Sequence, residues 1–91
     1  MAQTVYMAPE RIDRGSSGKV QEELEKLLDS GVTDLVFDMA ELQYISSAGL
    51  RVLLATQQRL GDTGSFVLTN VPSAVKEILD VTGFSSFMIM K

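Results

Sequence analysis

The sequence predicts an α/β protein whose central sheet is mostly parallel or mixed and is flanked by helices. Short apolar runs rich in strand-forming residues alternate with segments whose apolar residues recur at helical spacing. Turn residues separate these segments, which gives the order β-α-β-α-β-α-β. Such alternation favours right-handed crossovers and parallel strands. At 91 residues, the chain is expected to form one domain, residues 1–91.

The first predicted unit is a strand followed by a helix. Residues 4–7 (TVYM) form the strand, which Pro9 interrupts. The loop DRGSSG then leads into a helix that either Ser16 or Ser17 could cap and that ends at Gly31. The inward face of this helix consists of Val20, Leu24, Leu27 and Leu28.

Three further strands are predicted over residues 35–39, 65–71 and 87–91. Each is a short apolar run bounded by turn residues, and the first is apolar enough to be covered on both faces.

Two further helices connect these strands. One follows the Ser-Ser-Ala-Gly junction and ends at Gly61. The other is capped by Asn70 or Ser73, has Pro72 near its first turn and ends at Gly83. Their inward stripes are Leu50, Leu53, Leu54 and Leu60 in the first, and Val75, Ile78 and Leu79 in the second.

The composition excludes several classes of function. Without cysteine or histidine there is no disulfide, no thiolate metal site and no imidazole base. The net charge of −4 argues against a nucleic-acid partner. No apolar run reaches the roughly 18 residues of a membrane helix, and no signal pattern opens the chain. We therefore expect a cytoplasmic protein without a membrane partner.

Two segments resemble cofactor or metal sites but lack residues that such sites require. The segment GSSGK (residues 15–19) is no phosphate loop, because that pattern requires Gly at Asp13 and Ser or Thr at Val20. Asp38 and Glu41 lie near a strand-to-helix junction, where exposed loop acids are favoured over a Mg²⁺ site. We expect no metal and no cofactor.

Ser46 and Ser47 stand at that same strand-to-helix junction. A Ser-His-Asp triad cannot form without histidine, and the G-x-S-x-G pattern is absent, so no catalytic residue is expected. One hydroxyl could cap the helix. Alternatively, a serine could accept a phosphoryl group, which a helix N-terminus accommodates. These two roles stay open on physical grounds, and the small Ala48 and Gly49 suggest an accessible surface.

Residues 35–84 resemble the STAS domain family, the anti-sigma factor antagonists of bacteria. The resemblance rests on an aspartate ending a buried strand, a small-residue junction, a Gly-x-x-Gly turn and the ends of a later strand and helix. These motifs are Asp38, residues 46–50, Gly61 with Gly64, residues 70–71 and residues 82–84, while residues 11–13 (RID) resemble the turn that opens the family's first helix. The resemblance implies a STAS-like domain with a shortened N-terminal hairpin and no C-terminal helix.

The resemblance also implies a partner-switching cycle. The unphosphorylated protein binds an anti-sigma factor that is also a serine protein kinase, phosphorylation releases this partner, and a PP2C-type phosphatase restores the binding form. The family's acceptor serine lies two residues before a Gly-Leu pair, which is Ser47 here, with Ser46 as the second choice. The expected partner-binding residues are Asp13, Asp38, Ser46, Ala48, Gly49 and Arg51, of which the last four form the exposed rim of the docking surface.

The alternative is a STAS domain that serves as a structural subunit or small-ligand sensor, in which Ser47 is only a cap. An exposed edge strand would also allow a homodimer.

Overall fold

The computed structural model describes residues 3–61 and 63–91 of the chain. Strands and helices alternate along these ranges much as the sequence predicts. In chain order they are β1 (Thr4–Met7), β2 (Arg11–Ile12), α1 (Ser17–Asp29), β3 (Asp34–Asp38), β4 (Tyr44–Ile45), α2 (Ser47–Leu60), β5 (Ser65–Thr69), α3 (Ser73–Thr82), a short 3-10 helix (Phe84–Ser86) and β6 (Ile89–Met90).

The main sheet has four strands in the order β1-β3-β5-β6. Its pairings are all parallel. Each crossover steps in the same direction across the sheet, and right-handed connections therefore place α1, α2 and α3 on one face. The predicted α/β class with a mostly parallel sheet is confirmed.

The hydrophobic core lies between the helices and this face of the sheet. Side chains from all three helices pack with Leu35 and Phe37 of β3 and with Phe66 and Leu68 of β5. The Phe37 ring stacks on the Tyr6 ring with centroids 5.4 Å apart and meets the Phe66 ring edge-on at 6.0 Å. Burial of these large side chains supplies most of the favourable free energy of folding.

The opposite face of the sheet carries a row of aliphatic side chains. Val5, Val36, Val67 and Ile89 are adjacent in the strand register and so share this face. Val36 and Val67 are buried but stand outside the helix-packed core. Val5 and Ile89, on the outer strands, are 54% and 52% exposed. The two edges of this face are therefore open to solvent.

Two short strands, β2 and β4, were not predicted from the sequence. They pair in parallel as a separate small sheet, with Arg11 opposite Tyr44 and Ile12 opposite Ile45. Two residues are too few for an alternating pattern to show. The pair holds the loops that lead into α1 and α2 side by side. The final strand is also shorter than predicted, since only Ile89–Met90 is extended.

The helix ends agree with the predicted turn residues except at the start of α3. Gly61 and Gly83 follow the last residues of α2 and α3, as predicted. The prediction that Asn70 or Ser73 caps α3 is wrong. Pro72 is the N-cap residue and Ser73 is already helical. Asn70 has a φ of 52° and forms a left-handed turn after β5, which short amide side chains tolerate.

Candidate functional site

The candidate site lies where β4 leads into α2, beside the loop that joins β2 to α1. The backbone N–H of Ser46 donates to the carbonyl oxygen of Ile12 at 2.8 Å, which extends the β2–β4 pairing by one step. Asp13 therefore stands next to Ser46 at the carboxyl ends of two neighbouring parallel strands. Such strand ends are where α/β proteins place their binding loops.

Ser46 is the N-cap of α2. Its backbone is extended, with φ −90° and ψ 175°, and its Oγ accepts a hydrogen bond from the backbone N–H of Gly49 at 3.3 Å. Its carbonyl oxygen accepts the N–H of Leu50 at 2.9 Å, which opens the helical hydrogen-bond ladder. The Ser46 hydroxyl is thus engaged in holding the start of the helix.

Ser47 is the first helical residue, and it is exposed. In the part of the chain that the structure describes, its hydroxyl has no hydrogen-bond partner, whereas that of Ser46 does. The prediction that Ser47 serves as the cap is therefore wrong, because Ser46 performs that role. Of the two adjacent hydroxyls, that of Ser46 holds the helix start and that of Ser47 is exposed.

Gly49 is buried, so its expected place on an exposed rim is wrong. A Cβ on Gly49 would lie 2.7 Å from Cγ1 of Ile45, 2.8 Å from Cγ2 of Ile12 and 3.0 Å from the Ile12 carbonyl oxygen. The absence of a side chain therefore allows the first turn of α2 to approach the small β2–β4 sheet. Packing, and not an accessible docking surface, explains this glycine.

A cleft of about 340 Å³ opens at the start of α2, and we call it the serine cleft. Arg14 reaches it from the β2–α1 loop, and Arg51 lies on α2 one turn after Ser47. Arg14 was not predicted as a site residue, although its position directly after Asp13 was an available signal. The lining residues are Arg14, Ser46, Ser47, Ala48 and Arg51.

Asp13 organises the loop beside the serine cleft. Its Oδ1 accepts hydrogen bonds from the backbone N–H groups of Gly15 and Ser16, both at 3.0 Å. Its Oδ2 lies 3.6 Å from Nε of Arg11. The Ser16 hydroxyl, followed by these N–H groups and Arg11, lowers the pKa of Asp13. Asp13 is close to the junction, as predicted, but its carboxylate is engaged by its own loop.

Asp38 lies at the end of β3 in the main sheet. Its Oδ1 accepts hydrogen bonds from the backbone N–H of Ala40 at 2.9 Å and from Nδ2 of Asn70 at 3.1 Å. It therefore ties the loop after β3 to the turn after β5. Asp38 is not among the residues that line the serine cleft, so the structure does not bring it together with Ser47 there.

The junction offers one exposed hydroxyl, that of Ser47. The sequence contains no histidine. Across residues 3–61 and 63–91, no group of three His, Cys, Asp or Glu residues is placed to hold a metal ion. Among the same residues, no helix is both long and apolar enough to span a membrane.

Three helices on one face of a parallel sheet, with an exposed serine at the start of the second helix, define a small α/β domain of the STAS class. The sequence model of the STAS domain family matches residues 2–91. The chain therefore belongs to the STAS domain family, and the resemblance inferred from its motifs is confirmed.

Similar proteins include a curated relative and several solved structures. "Putative anti-sigma factor antagonist BtrV" of Bordetella bronchiseptica is 34% identical over 76 residues, which cover 82% of this chain and 66% of BtrV. The chain thus spans just under two thirds of that relative's length. An anti-sigma factor antagonist from Mycobacterium paratuberculosis has a TM-score of 0.87 at 21% identity, covering 94% of this chain and 74% of that one.

The anti-sigma factor antagonist SpoIIAA is similar in two solved states. Its unphosphorylated form gives a TM-score of 0.77 at 17% identity over 100% of this chain and 83% of SpoIIAA. Its phosphorylated form, from Bacillus, gives 0.72 at 16% identity over 96% and 80%. At these identities the likeness concerns the fold.

Proposed function

We propose that this chain is an anti-sigma factor antagonist-like binding module of a partner-switching pathway in the cytoplasm. In its unphosphorylated form it binds an anti-sigma factor that is also a serine protein kinase. Phosphorylation of Ser47 releases that partner, and a PP2C-type phosphatase restores the binding form. The chain is the substrate in this cycle and not an enzyme.

The observation that carries the proposal is the division of roles between Ser46 and Ser47. Because the cap belongs to Ser46, a phosphate on Ser47 leaves the hydrogen bond to Gly49 intact. The free N–H groups and positive dipole end of α2 favour an anion at this position. The Ser46 hydroxyl is half-buried and already engaged by Gly49, so it is less accessible to a kinase than the exposed hydroxyl of Ser47, which makes Ser46 the poorer acceptor.

The names of the relatives support the same role. BtrV is named as an anti-sigma factor antagonist. SpoIIAA, also an anti-sigma factor antagonist, has been solved with and without its phosphate. We propose that this chain likewise exists in an unphosphorylated and a phosphorylated form.

The transfer step uses the chemistry of the kinase. The Ser47 Oγ attacks the γ-phosphorus of ATP, its proton passes to a base of the kinase, and ADP leaves. The chain contributes an exposed hydroxyl on the rigid start of a helix. Exposure matters because the kinase has to surround the acceptor.

Release follows from the charge that the phosphate adds. Phosphoserine carries about −1.5 to −2 charges at neutral pH. Placed between Ala48, Arg51 and the Asp13 loop, this charge has to be desolvated by any partner packed on the site, and acidic groups of that partner are repelled. Asp38 belongs to a separate part of the proposed docking surface, because it does not line the serine cleft.

A matched pair of aspartate variants tests the proposal. We expect wild type, Ser47→Ala and Ser46→Asp to capture an ATP-binding serine kinase from a lysate of the source cells, and Ser47→Asp to capture clearly less of it. Ser46→Asp is the control, because it adds the same charge one residue away and keeps a capping side chain. Equal capture by the two aspartate variants would refute the switch. If neither wild type nor any of the three variants captures a kinase, the result would favour a structural subunit or a small-ligand sensor.

We further propose that two copies pair through the edge strand β1. In the described part of the chain β1 pairs only with β3, and its sequence TVYM holds no charge. Val5 and Met7 are 54% and 49% exposed, so the strand presents apolar side chains and lacks the charged side chains that protect many free edges. Antiparallel pairing of two β1 strands about a two-fold axis would satisfy their backbone groups.

Sedimentation equilibrium tests this pairing. Wild type and Val81→Lys should be dimers, since Val81 is an exposed side chain of α3, whereas Val5→Lys should be a monomer. A monomeric wild type at every accessible concentration would refute the dimer.

A further inference from the structure

We propose that Arg14 and Arg51 together form a binding site for the phosphoryl group carried by Ser47. The inference rests on the proposed function, because that function places a phosphate on this serine. It goes further by assigning the phosphate a partner within the chain itself. Arg14 and Arg51 come from separate elements and line one cleft with Ser47.

Both arginines are available for an anion. In the described part of the chain, four basic side chains have carboxylate partners, while Arg14 and Arg51 have none. The nearest acid along the β2–α1 loop, Asp13, is engaged by Arg11, Gly15 and Ser16. The four paired residues are Arg11, Lys26, Arg59 and Lys76.

The positions of the arginines suit a bridging phosphate. Arg51 follows Ser47 by four residues, so the two side chains lie on the same side of α2 one turn apart. Arg14, from the β2–α1 loop, lines the same cleft. Two guanidinium groups balance the charge of about −1.5 to −2 on phosphoserine, and each can donate two parallel hydrogen bonds to phosphate oxygens.

Two consequences follow for the phosphorylated state. The phosphate ties the β2–α1 loop to α2, and it neutralises both cations of the cleft. A partner that contacts Arg14 and Arg51 in the unmodified protein loses these contacts when Ser47 is phosphorylated. A Ser47→Asp substitution reproduces this only in part, because one carboxylate is too short and too weakly charged to engage both guanidinium groups.

Titration of the phosphate by phosphorus NMR tests the site. Phosphoserine is inserted at position 47 during translation, so no kinase is needed. The pKa of its second ionisation is ordinarily about 6. This pKa should be lower by about 0.5 to 1 unit in the folded chain than in the same chain unfolded in urea. Arg14→Gln and Arg51→Gln should each reverse part of this fall. Lys19→Gln, which removes an equal charge outside the serine cleft, should not.

Urea unfolding of the unphosphorylated variants is the control for folding. Because Arg14 and Arg51 are exposed, their substitution should leave the unfolding midpoint unchanged. A lowered ionisation that neither arginine affects would assign the phosphate to the helix N-terminus alone and overturn the site. The titration is independent of the pathway. If the arginines lower the ionisation of the phosphate but the lysate contains no kinase for Ser47, the proposed function is refuted. If a kinase phosphorylates Ser47 but the ionisation does not respond to either arginine, this site is refuted.

Discussion

The Oγ of Ser46 accepts a hydrogen bond from the backbone N–H of Gly49 at 3.3 Å, and this contact separates the roles of two adjacent serines. Ser46 is half-buried and ends the extended segment, whereas Ser47 is exposed and begins the helix. The same contact positions Gly49, whose missing side chain allows α2 to pack on Ile12 and Ile45. Capping, close packing and an accessible hydroxyl therefore meet in one helical turn.

Stability should distinguish the two serines. Ser46→Ala removes the cap and should lower the free energy of unfolding by about 1 kcal/mol. Ser47→Ala should change it by less than about 0.5 kcal/mol, because no hydrogen bond is lost and alanine suits a helix. Urea unfolding followed by circular dichroism measures both. An equal loss in the two variants would mean that Ser47 shares the capping role.

Gly49 should not tolerate a side chain. In Gly49→Ala the new Cβ would overlap Ile12 and Ile45, which should lower the free energy of unfolding by about 1–3 kcal/mol. Gly18→Ala is the matched control, because Gly18 lies in α1 with no atom within 4 Å of the added Cβ. That variant should gain about 0.4–1 kcal/mol. A Gly49→Ala protein as stable as wild type would contradict the close approach.

Acid should destabilise the protein through Asp13 and Asp80. Hydrogen bonds from the hydroxyl groups of Ser16 and Ser85 are the largest causes of their lowered pKa values. Because the folded pKa lies below the unfolded value of 3.8, the unfolded chain takes up protons first as the pH falls. The stabilisation is complete above about pH 5 and is lost as the pH falls through the folded pKa.

Urea unfolding at a series of pH values checks this dependence. Asp13→Asn should flatten the acid limb of the stability curve, and Asp80→Asn should flatten it by a separate amount. The two effects should add, since the two residues share no hydrogen-bond partner in the described structure. An acid limb that neither substitution alters would show that other groups control it.

The order of strands and helices could be predicted because each long element has its own apolar period. Leu35 and Phe37 identify a buried strand, and the leucines of α2 identify one face of a helix. The choice between Ser46 and Ser47 as cap could not be made in the same way. Both residues are good caps, and only the backbone angles decide where the helix begins.

The burial of Gly49 and the position of Arg14 depend on tertiary contacts that no local pattern reveals. Both follow from the pairing of Ile12 with Ile45 in strands of two residues each. That pairing brings the β2–α1 loop against α2, so Gly49 is covered and Arg14 lines the same cleft as Ser47. The small size of Gly49 therefore suggested an open surface, whereas in the structure this glycine allows close packing.

The central claim is that Ser47, and not its capping neighbour, accepts the phosphate. Its most direct test is phosphopeptide mass spectrometry, with site localisation across residues 42–51, after incubation of the chain with a lysate of its source cells and Mg-ATP. We predict phosphate on Ser47 in wild type and in Ser46→Asp, and none on this peptide in Ser47→Ala. Phosphate on Ser46, or a peptide that stays unmodified in every preparation with the protein fully recovered, would contradict it.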